Sequence, residues 1–232
     1  MSETSGPYPG HVGDSPSEIH VLIRVWLPDR PGALGLVASR IGAVGADIVG
    51  VDVVERGERV AVDEFAVVVP DDGRLDLMVR EVEQVDGASV EEVRRVGIFP
   101  DPRLDALESA AALCECESTA DLQSVLVRHI RREFLADWAA LLHDGAVLAA
   151  DGDAVPEPGK LVALAAGFAA SPLVADGVAG PEDLAVAPLP ASDAVVLVGR
   201  DGHVFRRRER AQLLMLARVA DRTWSLLAAV GA

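Results

Sequence analysis

Ile19, Val21, Ile23, Val25 and Leu27 alternate with His20, Leu22, Arg24 and Trp26. A period of two over this length specifies a β-strand with one strongly apolar face. The run ends in Asp29-Arg30-Pro31-Gly32-Ala33-Leu34-Gly35, and from Leu34 to Val44 the apolar residues Leu34, Val37, Ala38 and Ile41 recur at helical spacing. A strand therefore feeds a helix through a tight turn, and the turn has the chemistry of an anion site. Pro31 suits the first helical position, where its missing N–H would be unpaired anyway. Gly32, with no Cβ, lets a ligand approach the first-turn amides. Those amides and the positive end of the helix dipole favour a carboxylate or phosphate. A plain strand-to-helix turn without a ligand is the alternative.

The next stretch restricts the fold further. Gly42 and Gly45 end the helix, Gly45 being the better cap. Ile48 to Glu55 and Val60 to Val69 are β-branched runs about the Arg56-Gly57-Glu58 turn, which predicts a hairpin. Leu75, Met78, Val79 and Val82 mark a second amphipathic helix, and Gly87 to Val96 a last strand. The order β-α-β-β-α-β is the ferredoxin-like arrangement of four strands under two helices.

That order, with Asp29-Arg30-Pro31-Gly32-Ala33-Leu34 after the first strand and Gly45-Ala46-Asp47-Ile48-Val49 opening the second, resembles an ACT domain over roughly residues 19 to 97. ACT domains are small regulatory modules that usually bind amino acids, often where two copies pair. The resemblance implies a ligand at the first helical turn, with Gly32 permitting close approach and Leu34 shaping the pocket. Asp47 and Ile48 of a partner domain would face it. Many ACT domains carry Asn where Asp47 stands; an Asp receives an ammonium but cannot donate to a carboxylate. The residues themselves fit a zwitterion, which needs an amide nest at one end and an acid at the other. Gly32 and Ala33 can supply amides, and Asp29 or Asp47 the negative charge. Asp29 has a competing role as a helix cap, and Arg30 is read as pointing into solvent. His20 and Trp26 share the less apolar strand face, either as a contact surface for a partner or as ordinary surface.

Beyond Gly97, Pro100 and Pro102 mark a linker, placed at 99–103 between an ACT-like domain at 18–98 and a second domain at 104–232. Leu104 to Leu113 reads as a helix, and Ser118-Thr119-Ala120-Asp121 caps another through Phe134. Trp138 to Leu142 and Ala146 to Ala150 form a hairpin about His143-Asp144-Gly145. An Ala-rich helix from Lys160 to Ala170, a loop from Gly177 to Asp183, and strands Leu184 to Leu189 and Ala194 to Gly199 follow. A long helix from Arg207 to Val230 closes the chain. This is an α+β pattern with an antiparallel sheet. The late strands leading through Val204-Phe205 into the long helix resemble the end of a GAF domain, and the resemblance implies a small-ligand or dimerisation module. A roadblock-like sheet domain is a competing reading of residues 136 to 170.

Composition bounds the partners. The net charge of −16 argues against nucleic acid and against an anionic membrane surface. Arg206-Arg207-Arg208 reads as a solvated helix start. Cys114 and Cys116 read as ordinary thiols, since Cys-x-Cys is poor disulfide geometry and no second pair completes a zinc site. No run spans a membrane, and residues 1–17 read as a disordered tail without a signal peptide. No nucleotide loop, nucleophile elbow or zincin motif is present, and His143 and His203 fall in turns. The expectation is a cytoplasmic, non-catalytic, cofactor-free homodimer with no metal site. It would sense an amino acid or similar small anionic or zwitterionic ligand. A ligand-free scaffold and an enzyme working in the second domain are the alternatives.

Overall fold

The computed structural model describes residues 18–171 and 181–230, so the tail expected at 1–17 and most of the loop expected at 177–183 lie outside the described residues. The chain divides into two compact units, Met1–Phe99 and Pro100–Ala232, with the division inside the expected linker.

The first unit runs β1 (Ile19–Pro28), α1 (Ala33–Ala43), β2 (Asp47–Arg56), β3 (Val60–Val69), α2 (Asp72–Glu83) and β4 (Ser89–Arg95). Its antiparallel sheet has the order β2-β3-β1-β4, so β2 is an edge. The alternation in β1 resolves as expected. Val21, Ile23, Val25 and Leu27 pack with Phe65, Val67 and Val69 of β3 against Val37 and Ile41 of α1 and Met78 and Val82 of α2. The opposite face of β1 carries a charge ladder in place of an apolar patch. Arg24, only 5% exposed, pairs with Glu64 at 2.6 Å on one side and lies 3.9 Å from Glu92 on the other. The register sets Arg24 directly across from both acids. On the same face the His20 ring stacks on Phe99 at 4.7 Å, and Trp26 Nε1 donates to Glu91 at 3.1 Å.

The second unit runs α3 (Pro102–Cys114), α4 (Thr119–Glu133), β5 (Trp138–His143), β6 (Ala146–Gly152), α5 (Pro158–Ala169), β7 (Leu184–Leu189), a short 3₁₀ turn (Pro190–Ser192), β8 (Ala194–Gly199) and α6 (Arg207–Val230). The strands form one antiparallel sheet, β6-β5-β8-β7, so residues 136–170 share their sheet with β7 and β8. One sheet face buries Leu141, Val196 and Val198 against Leu126, Ile130, Leu213 and Ala217. The other buries Ala140, Leu142 and Leu197 against Leu161 and Phe168 of α5. Both units are α+β, and the long terminal helix is present.

Local chemistry explains the boundaries. Ser118 caps α4 by accepting from the Asp121 amide, and Asp101 caps α3, which starts two residues before the expected Leu104. Asp144 (φ 47°) and Gly145 (φ 70°) make the left-handed pair that a two-residue hairpin requires. Arg207 at the start of α6 is exposed, and Arg206 and Arg208 are half-buried, but two other arginines nearby are buried. Arg210 is buried and donates to the carbonyls of Leu184, Pro181 and Phe205. Arg200 is also buried, bonds the Phe134 and Val204 carbonyls and Glu209, and lies 4.0 Å over the Phe205 ring.

Candidate functional site

The turn after β1 differs from the expected start of a helix in three ways. The Ala33 amide donates to the Arg30 carbonyl at 3.3 Å, with Pro31 and Gly32 between them and Gly32 at φ 90°, ψ −15°. That is a type II turn, which places Pro second and demands a left-handed residue third. Helix α1 therefore begins at Ala33 with Gly32 as its cap, and Pro31 precedes the helix instead of opening it. Second, Asp29 caps nothing. No side chain caps α1; the Asp29 carboxylate accepts from Arg56 Nη2 at 2.9 Å, and the Asp29 amide donates to the Arg59 carbonyl. Third, the Ala33 amide is engaged by the turn. The first helical bond runs from the Leu36 amide to the Gly32 carbonyl. The Leu34 and Gly35 amides are then the first-turn donors without a helical acceptor.

Beside this turn lies a cavity of about 520 Å³. Its walls are Leu27, Pro28, Asp29, Arg30, Pro31, Ala33 and Leu34 from the turn, Val53 and Arg56 from β2, and Ala61 and Asp63 from β3. Arg30 is exposed but forms part of the wall. Leu34, 43% exposed, lines the cavity. The Cβ position of Gly32 is open, with nothing within 4 Å.

Asp47 and Ile48 are elsewhere. Asp47 pairs with Val68, which pairs with His20 at the start of β1. The turn follows Pro28, eight residues further on, or roughly 26 Å at strand rise. Within one chain these residues cannot meet the cavity.

Two wall residues escaped the sequence reading. Arg56 is held above its ordinary pKa by its hydrogen bond to Asp29 and then by that residue's charge. Asp63 is 5% exposed, and its Oδ1 has no hydrogen-bond partner. Burial pushes the Asp63 carboxyl above the usual range; Arg56 opposes this and Asp29 adds to it. A signal existed for Asp63: it shares strand parity with Ala61, Phe65, Val67 and Val69, so an acid interrupts the buried face of β3.

A second cavity, also about 520 Å³, lies in the second unit between α5 and the ends of β5, β7 and β8. Its lining is mainly apolar, including Leu142, Val162, Phe168 and Val186. At its rim His143 Nδ1 lies 3.0 Å from the Asp193 carbonyl. Away from both cavities, Ser109 lies between His129, at 3.3 Å, and Glu133. It is fully buried and lines neither cavity. Cys116 is buried, bonds the Ala112 carbonyl, and has its thiol pushed up to about 11 by burial, so it is inert. Among the described residues no group of three or more His, Cys, Asp or Glu is placed to hold a metal, and no helix is long and apolar enough to cross a membrane.

The family model for the ACT domain matches residues 21–87. No curated protein sequence matches the chain. Among solved structures, the ACT domain from the GTP pyrophosphokinase of Chlorobium tepidum is similar at 16% identity, covering 34% of this chain and all of that one with a TM-score of 0.29. The GAF domain from an Acinetobacter phosphoenolpyruvate-protein phosphotransferase matches at 16% identity, over 58% of this chain and 99% of that one, TM-score 0.40. A bacteriophytochrome from the photosynthetic bacterium R. palustris matches at 10% identity, over 76% of this chain and 42% of that one, TM-score 0.42.

Proposed function

With an ACT domain, a small-ligand regulatory module, at residues 21–87, we propose that this is a non-catalytic sensor of a free amino acid. The observation that carries the reading is the cavity at the β1–α1 turn, whose walls hold both signs of charge. A zwitterion needs both. Its carboxylate would meet the Leu34 and Gly35 amides at the positive end of α1, with Arg30 and Arg56 beside them. Its side chain would lie on Leu27, Leu34 and Val53.

The response to the ligand would be a change in subunit arrangement. Strand β2 is a sheet edge whose Val49, Val51 and Val53 are exposed. Antiparallel pairing of two such edges about a two-fold axis would set the partner's Asp47 end beside Arg56. Asp47 and Ile48 would then approach the cavity from the second copy. Ligand bound across that junction favours whichever arrangement binds it better, and the second unit carries the preference onward.

Calorimetry of the full chain against the common L-amino acids tests the first step; heat for none of them overturns it. Light scattering with and without the amino acid that binds tests the second. A ligand-free association module is the other reading. It is favoured by the Arg56–Asp29 pair, which already satisfies two of the charges in the cavity wall; in that case the subunit arrangement ignores every amino acid.

A further inference from the structure

We propose that Asp63 is the acceptor for the protonated amine of the ligand in the cavity at the β1–α1 turn. It makes that site select amines over the matching deaminated acids. The proposal rests on the sensor reading above and deepens it.

The strand register sets Asp63 opposite Val25 of β1 and Val53 of β2, on the apolar face of the sheet. Alternation would place a hydrophobic residue here, between Ala61 and Phe65. The carboxylate is nearly inaccessible, yet Oδ1 has no hydrogen-bond partner and the residue lines the cavity. A buried carboxylate oxygen without a donor is costly, and folded chains keep few of them outside functional sites.

The charged groups facing Asp63 across the cavity are Asp29 and Arg30 on the turn and Arg56 at the end of β2. Arg56 is the cation whose charge acts on Asp63, but its guanidinium is hydrogen-bonded to Asp29. Asp29 and Asp63 repel one another. A ligand ammonium at Oδ1 would donate the missing hydrogen bond and offset the uncompensated charge together. A ligand carboxylate at the same place would add a third negative group. The cavity is thereby polar in a definite sense: amine toward β3, carboxylate toward the start of α1.

Matched pairs test this on the full-length protein. L-Valine is compared with 3-methylbutanoate, L-phenylalanine with 3-phenylpropanoate, and L-serine with 3-hydroxypropanoate, by calorimetry, in the wild type and in Asp63→Asn and Asp63→Ser. The wild type should bind at least one amino acid about tenfold or more tighter than its deaminated partner. Both variants should fold and lose most of that preference, while affinity for the deaminated acid changes little. An undiminished preference in the folded variants overturns the role of Asp63 and leaves the sensor reading standing. A deaminated acid that binds the wild type as tightly as the amino acid also overturns it. Absence of binding by these probes and by every other common L-amino acid to the wild type overturns both readings.

Discussion

Arg56 donates to Asp29 across 2.9 Å, so the last residue of β2 holds the turn that leads into α1. The pair is solvent-facing, with 70% of the Arg56 side chain and 29% of that of Asp29 exposed. Exposed ion pairs contribute little to stability because water screens them. The importance of this one is positional: it sets the turn against the β2–β3 hairpin and puts a guanidinium at the cavity wall.

Arg56→Gln should therefore leave the thermal midpoint almost unchanged. On the proposed sensor reading, affinity for the amino acid, measured by calorimetry, should fall about tenfold through loss of a charge-assisted contact to its carboxylate. An equal loss for ligands lacking a carboxylate would remove Arg56 from that role.

Gly32 and Gly35 both stand in open space, but only Gly32 has positive φ. Gly32→Ala should destabilise the protein by about 1–2 kcal/mol through backbone strain, with no clash involved. Gly35→Ala, in ordinary helical backbone, should stabilise it by about 0.5–1 kcal/mol. Urea unfolding of the two variants separates strain from crowding. Opposite signs are expected from substitutions three residues apart.

A Cβ on Gly199 would clash with the rigid indole of Trp138, meeting Cε2, Cζ2 and Nε1 far inside van der Waals contact. Neither the ring nor the paired strands β5 and β8 can yield cheaply. Gly199→Ala should cost about 2 kcal/mol or more, read from denaturant midpoints, and should shift the tryptophan fluorescence.

Asp221 on α6 accepts from the Ala191 and Ser192 amides and from the Ser192 hydroxyl, at 3.0, 2.9 and 2.8 Å. It holds the short turn between β7 and β8, and it is buried. Asp221→Ala strands two amides and should cost about 2–3 kcal/mol. Asp221→Asn should recover only part of this, because its amide nitrogen cannot accept.

Asp63 makes stability depend on pH with a definite sign. Its folded pKa lies above the ordinary carboxylate value, chiefly through burial. Between the two values the folded state binds more protons than the unfolded one, so this residue's contribution declines as pH rises through that window. Below the ordinary value the penalty vanishes. The ligand-free Asp63→Asn variant should be more stable than wild type near pH 7, and the difference should shrink toward pH 3.5. Urea titrations across that range measure it; a difference independent of pH would show that Asp63 titrates normally.

Much of the fold was legible in the chain because its signals are local. The alternation from Ile19 to Leu27 specifies β1 and its apolar face. Ser118 announces α4 by a hydrogen bond three residues away, and Asp144-Gly145 announces its hairpin by backbone preference alone. The turn at Pro31 was legible as a turn but misassigned in detail. Pro is as suited to the second position of a type II turn as to the first of a helix, and only the positive φ of Gly32 separates the two. Arg200 and Arg210, with a cation's usual claim to solvent, are buried because carbonyls from distant segments converge on them.

The sequence by itself determined the element order, the apolar faces, and the presence of a glycine-bearing turn where a helix presents its amides. The tertiary structure alone decided which charges share a cavity. Asp29, Arg56 and Asp63 are separated by stretches of chain that propensity reads independently, and strand pairing between β1, β2 and β3 brings them to one wall. Register is a long-range property: a slip of one residue in β3 would turn Asp63 to the opposite face. That is why a site of mixed charge could be expected near the turn, while its buried acid became visible only once the strands were laid side by side.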